Sequence, residues 1–138
     1  MNNQKERTLA RECLVKILYQ HDMTEYSFID IEDTFIEKRK YDRSYFRKTL
    51  DILEGNLLEI DKFIKDNTDL ELNDLTQIDK AIIRLAVCEF LYHKEIPEKV
   101  TINESIAIAK KFSTTDSYKF INNILDQLYK FITSYDQK

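Results

Sequence analysis

At 138 residues the chain is long enough for one domain and too short for two ordinary ones. A single glycine, Gly55, and a single proline, Pro97, exclude a turn-rich β sandwich or barrel, and with it every multi-glycine motif, from GxGxxG to the P-loop and GxSxG. The net charge of −4 is uneven, with +2 on residues 1–21, −8 on residues 22–79 and +2 on residues 80–138, which excludes the strong cationic footprint of an indiscriminate nucleic-acid binder.

Leu9, Ala10, Cys13, Leu14, Ile17 and Leu18 recur at three- and four-residue steps, so a first helix is expected from about Glu6 to His21. Ser27, with Asp30 three residues on, reads as the capped start of a second helix reaching Lys38. A long third helix starts at Asp42 or Ser44 and carries Phe46, Leu50, Leu53, Leu57, Ile60 and Ile64 on one face. Gly55 falls inside it at a cost of about 1 kcal/mol relative to alanine, which a conformational need or close helix packing would explain. Residues 66–76 are acidic and short-period, a loop with one helical turn. Thr76 with Asp79 marks the start of a fourth helix, Gln77 to Lys94, apolar around most of its circumference and therefore the most buried. Pro97 stops that segment, and a fifth helix is expected from Thr101 to Phe112. Thr115 or Asp116 then caps a last helix, Ser117 to Ser134, with Phe120, Ile121, Ile124, Leu125, Leu128 and Phe131 facing inward. With no repeat, linker or low-complexity tract, the expectation is an all-α, compact single-domain bundle of five to seven helices spanning residues 1–138.

Cys13 and Cys88 lie on apolar stripes and read as buried free thiols of a cytosolic protein. No apolar run approaches the roughly 20 residues that span a bilayer, and the N-terminus lacks a signal peptide's apolar stretch. A cytoplasmic location without membrane contact is expected. A metal would have to recruit Cys13, His21, Cys88 and His93 without CxxC or HExxH spacing, and 25 acidic residues make neighbouring carboxylates unavoidable. Neither catalysis nor a metal or cofactor is expected. Binding signals are better: Asp116, Ser117, Lys119 and Phe120 share one helix N-terminus, where backbone N–H groups suit phosphate and a ring beside a lysine suits a single strand. By spacing alone the favoured account is still a capped helix with Phe120 in the core and Lys119 solvated. Arg7 and Arg11, one turn apart, make an ordinary polar face by the same measure.

RTLARECLVKILYQ at residues 7–20, and the run from Leu75 to Asp126 that contains IPEKVTINESIAIAKKF and DSYKFINNILD, resemble the NusB family of bacterial transcription antitermination factors. The family's IPxKVxINEAIxLAKxF and DSxKFxNGxLD patterns are readable there almost residue by residue, and the similarity is weak only in residues 22–74. The resemblance implies an all-helical RNA-binding protein without enzyme activity. It would pair with NusE, a small-subunit ribosomal protein, hold the single-stranded boxA element of rRNA leaders, and help the transcription elongation complex resist termination. Carried over by position, the RNA surface comprises Lys5, Arg7, Arg11, Asp116, Ser117, Lys119 and Phe120, with the connection containing Lys99 and Phe112 alongside. The NusE surface involves Tyr19 and Asp79, expected to lie exposed and close together. The charge distribution agrees, since an acidic middle can meet a basic ribosomal protein.

Several positions depart from the family pattern. Thr8 and Leu9 stand where many members have two arginines, so the arm is less cationic and RNA binding by the chain alone is expected to be weak. Ser113 replaces a glycine, at a cost of about 1–2 kcal/mol if that position requires a positive φ. Asn123 replaces the glycine of the KFxNG pattern. Some members self-associate, which leaves monomer and homodimer both open. The reading without RNA is a non-catalytic helical module that binds only a protein.

Overall fold

The computed structural model describes residues 3–132, which form six α-helices and one short 3-10 turn, with no strand among the described residues. The helices are α1 (Asn3–Thr24), α2 (Phe28–Thr34), α3 (Arg43–Asn67), α4 (Gln77–Tyr92), α5 (Glu98–Phe112) and α6 (Ser117–Tyr129), and the turn is Leu72–Asp74. Three starts follow the sequence signals. The Ser27 hydroxyl accepts from the Asp30 N–H at 3.1 Å, Thr76 does the same for Asp79 at 3.1 Å, and the Asp42 carboxylate accepts from Tyr45 at 3.0 Å.

The pattern of α4, apolar around most of its circumference, places it at the centre, packed against α1, α3, α5 and α6, with every residue from Asp79 to Leu91 buried. The four charged side chains that it carries inside all have partners, as burial of charge requires. Lys80 pairs with Asp22 at 3.2 Å, Arg84 forks onto Asp61 at 2.9 and 2.8 Å, Glu89 accepts from Arg11 at 2.7 Å, and Asp79 accepts from two serines. Cys13 and Cys88 are buried free thiols. No helix among the described residues is long and apolar enough to cross a membrane.

Other boundaries differ from the sequence expectation, each for a local reason. α1 runs three residues past His21 and closes on Glu25, whose φ of 61° lies in the left-handed region and whose N–H reaches the His21 carbonyl at 2.8 Å. α2 stops at Thr34 rather than Lys38 because Phe35 turns extended and its N–H closes onto Glu32. Pro97 is the N-cap of α5, its carbonyl accepting from Val100 and Thr101, so that helix begins at Glu98. α6 ends at Tyr129, and the expected terminus Ser134 lies outside the described residues. A tighter bond from Phe131 N–H to Leu128 rotates Phe131 outward, where it is 40% exposed, and Ile132 takes the inward position. At Gly55 an added Cβ meets nothing within 4 Å and φ is not positive, so neither expected reason for glycine applies. It borders a kink in α3 at Asn56, whose φ of −133° leaves the helical region.

Candidate nucleic-acid interface

The residues expected to hold RNA fall into two groups, those at the start of α1 and those around the α5–α6 connection. Lys5 is exposed on the first turns of α1, where it lines a cleft of about 440 Å³ together with Lys40, Arg39 and Lys111 and with the carboxylates of Glu6 and Glu12. Arg7 is half-buried, its Nε 2.9 Å from Asp42 and its guanidinium 4.5 Å from the centre of the Tyr45 ring. Arg11, expected on the same surface, is only 3% exposed. Its three nitrogens donate to Glu89 at 2.7 and 3.3 Å and to Glu104 at 2.9 Å. Burial alone would lower the basicity of this guanidinium, but the Glu89 carboxylate outweighs it and holds the group firmly protonated.

The same network accounts for one departure from the family pattern, and the hydrophobic core for a second. Thr8 donates to the Glu104 oxygen that Arg11 also uses, at 2.5 Å, and Leu9 is a core residue. Tyr45 and Thr101 donate their hydroxyls to Glu89, which is thereby saturated with donors. The N-terminal segment thus contributes fewer open cations than its sequence suggests.

At the α5–α6 connection two aromatic rings each lie beside two lysines. Phe112, the last residue of α5, has Lys111 Nζ 5.3 Å and Lys16 Nζ 5.5 Å from its ring centre. Tyr118, the second residue of α6, has Lys110 at 4.6 Å and Lys119 at 5.9 Å. Lys111 also pairs with Glu12 at 3.0 Å, and Lys119 lies 3.7 Å from Asp116. A strand laid along this edge meets two half-buried rings flanked by positive charge, and rings beside cations are the combination that grips single-stranded nucleic acid without reading every base.

Lys16, Lys110, Lys111 and Tyr118 are absent from the sequence expectation. The run KKFSTTDSYKF does place a lysine next to a ring on each side of the connection, and that signal could have found three of the four. Lys16 has no such signal, since only the packing of α1 beside α5 brings it to Phe112. Phe120, singled out from the sequence, is half-buried and packed against the core, as Phe112 and Tyr118 also are. Lys99 is exposed in the first turn of α5, about 20 Å along the helix from Phe112, so the two do not form one contact point.

The α6 N-terminus is not an open anion site. The Ser117 N–H bonds to Thr114 and that of Lys119 to Asp116, which uses two of the donors a phosphate would need. Asp116 sits at the cap position, exposed, with no capping bond from its side chain. Ser117 is buried and donates its hydroxyl to Asp79.

The expected partner surface is altered as well. Tyr19 is half-buried on α1, but Asp79 is 7% exposed and its carboxylate is occupied by Ser113 at 2.7 Å and Ser117 at 2.5 Å. It lies inward because the first turn of α4 is covered by the α5–α6 connection. Ser113 itself has φ of −106°, so it sits where a serine is unstrained. Asn123 is exposed on α6.

A family model described as the NusB family matches residues 8–130. The chain is 35% identical over 128 residues to the transcription antitermination protein NusB of Shewanella frigidimarina, covering 91% of this chain and 96% of that one. Among solved structures, T. maritima NusB matches with a TM-score of 0.80 at 34% identity over 90% of each chain. A crystal structure of antitermination factors NusB and NusE in complex with double-stranded RNA matches in fold, with a TM-score of 0.78 at 23% identity over 91% of this chain and 97% of that one.

Proposed function

The chain belongs to the NusB family, and on that premise we propose that it is a transcription antitermination factor that grips single-stranded boxA RNA jointly with NusE. One observation supports the RNA grip above the others: the paired ring-and-lysine platforms at Phe112 and Tyr118, next to the basic cleft that shares Lys111. Lys5, Lys16, Lys110, Lys111 and Lys119 supply positive charge, and the two rings supply stacking surface. Asp116 and Phe120 adjoin this face at the start of α6, whereas Lys99 lies about 20 Å from Phe112 along α5 and Arg7 is held by Asp42. The partner face comprises Tyr19 and the acidic surface of residues 22–79, whose net −8 complements a basic ribosomal protein. The role is non-catalytic and cytoplasmic, exercised by one RNA-binding domain within the elongation complex.

The test is fluorescence anisotropy with boxA and scrambled single-stranded RNA across a salt series, with and without NusE. Three or four phosphate contacts give a slope of log K against log salt of roughly −2 to −3 for the chain alone. Lys110→Ala with Lys119→Ala should weaken binding and flatten that slope, whereas Tyr118→Ala should weaken binding by about 1–3 kcal/mol with the slope kept. A chain that binds NusE but no RNA under any of these conditions refutes the RNA function and leaves a protein-interaction module.

A further inference from the structure

Asp79 reaches from the first turn of α4 to both ends of the short connection between α5 and α6. One carboxylate oxygen accepts from Ser113, the residue directly after Phe112, at 2.7 Å. The other accepts from Ser117, the residue directly before Tyr118, at 2.5 Å. Its own backbone is fixed in turn, because its N–H is capped by the Thr76 hydroxyl at 3.1 Å. A buried carboxylate anchored on the central helix therefore holds the two positions that adjoin the two ring platforms.

We propose that Asp79 is a positioning residue for RNA: it clamps Ser113 and Ser117 and so sets the separation of the Phe112 and Tyr118 stacking surfaces. The inference rests on the RNA function proposed above and assigns Asp79 to that face, not to the partner face. The connection has only three residues between the two serines, so losing the clamp frees a segment with little packing of its own. The ends of α5 and α6, although the two helices pack together, then hold the platforms less tightly, and a strand stacks on both at once less often. The RNA-facing cations are unaffected, because Asp79 bonds to the two serines and pairs with no lysine or arginine, and the one charge lost is negative.

The experiment measures boxA RNA affinity, its salt slope, NusE affinity and amide exchange over residues 113–119 for a set of variants. Asp79→Ala should lose about tenfold in RNA affinity, equivalent to roughly one stacked base, with an unchanged salt slope and unchanged NusE affinity. Exchange of the Ser117 and Lys119 amides should accelerate, since their bonds to Thr114 and Asp116 lie within the freed segment. Asp79→Asn should retain most of the affinity, because the amide accepts from one hydroxyl and donates to the other. The double variant Ser113→Ala, Ser117→Ala attacks the clamp from its other end and should reproduce the loss. Combining it with Asp79→Ala should add nothing further. Wild-type RNA affinity and exchange in Asp79→Ala, or a loss confined to NusE binding, overturns the positioning role alone. Failure of the unmodified chain to bind boxA RNA overturns the underlying function and the positioning role with it.

Discussion

Replacing Arg11 separates a structural cation from a nucleic-acid contact. Its side chain is 4% exposed and that of Glu89 is 1% exposed, so the pair is sealed from water. Arg11→Ala removes two hydrogen bonds to Glu89 and one to Glu104, and leaves a buried carboxylate with only the Tyr45 and Thr101 hydroxyls. Breaking a buried pair from one side costs about 3–5 kcal/mol, because the abandoned charge keeps its desolvation penalty. In a chain of this size that lowers the melting temperature by roughly 10–20 °C. Arg11→Lys keeps the charge but not the fork, and should cost about 1–3 kcal/mol through the lost bidentate geometry. The assay is urea unfolding followed by circular dichroism, paired with RNA binding at a temperature where each variant is folded. The expected result is a large loss of stability with the RNA salt slope unchanged. Wild-type stability together with a slope reduced by one phosphate contact would refute the assignment of Arg11 to the core.

Two further outcomes follow from local chemistry. Glu25 closes α1 with φ at 61°, a conformation that costs a side-chain-bearing residue about 1 kcal/mol. Glu25→Gly should therefore raise stability by about 0.5–1 kcal/mol in denaturant titration, less the added entropy of the unfolded chain. Burial opposes ionisation of Asp42, yet the Tyr45 N–H and Arg7 together hold its carboxyl below the usual range. The unfolded state then binds more protons in acid, so this contribution is complete above the ordinary aspartate value and fades as pH falls through and below it. Asp42→Asn should flatten the acid limb of a plot of stability against pH, and an unaltered limb would show that Asp42 makes no such contribution.

Helix positions were largely legible because their signals are local. Ser27, Asp42 and Thr76 cap the helices they precede, and the apolar circumference of α4 fixes it as the centre. The boundaries that shifted depend on single backbone choices, such as extended Phe35 and Pro97 acting as a cap, which residue spacing does not encode. The site was half legible for the same reason. Phe112 and Lys119 stand out in the run around the connection, but the partners that remove Arg11 from the surface lie 78 and 93 positions along the chain. Lys16 is the converse case, an unremarkable helical lysine made relevant by a ring on another helix.

The same reasoning changes the meaning of the charge balance. The +2 of each end counts cations that the fold consumes: Arg7 faces Asp42, Arg11 is interior, and Lys80 and Arg84 are held by Asp22 and Asp61. Of the cations left nearer the surface, Lys16, Lys110, Lys111 and Lys119 gather beside two rings, and others such as Lys99 stand apart from them. A face of this kind holds a strand more by stacking than by counterion release, so its affinity is modest and its dependence on salt shallow. On the function proposed above, NusE can then raise the affinity in two ways that salt distinguishes. If it contributes cations along the same strand, the slope steepens by about 0.7 for every added phosphate contact. If it only stiffens the platforms, affinity rises at constant slope. The sealed cations within this chain and the acidity of its middle favour the first, because the charge a longer RNA grip needs has to come from the partner.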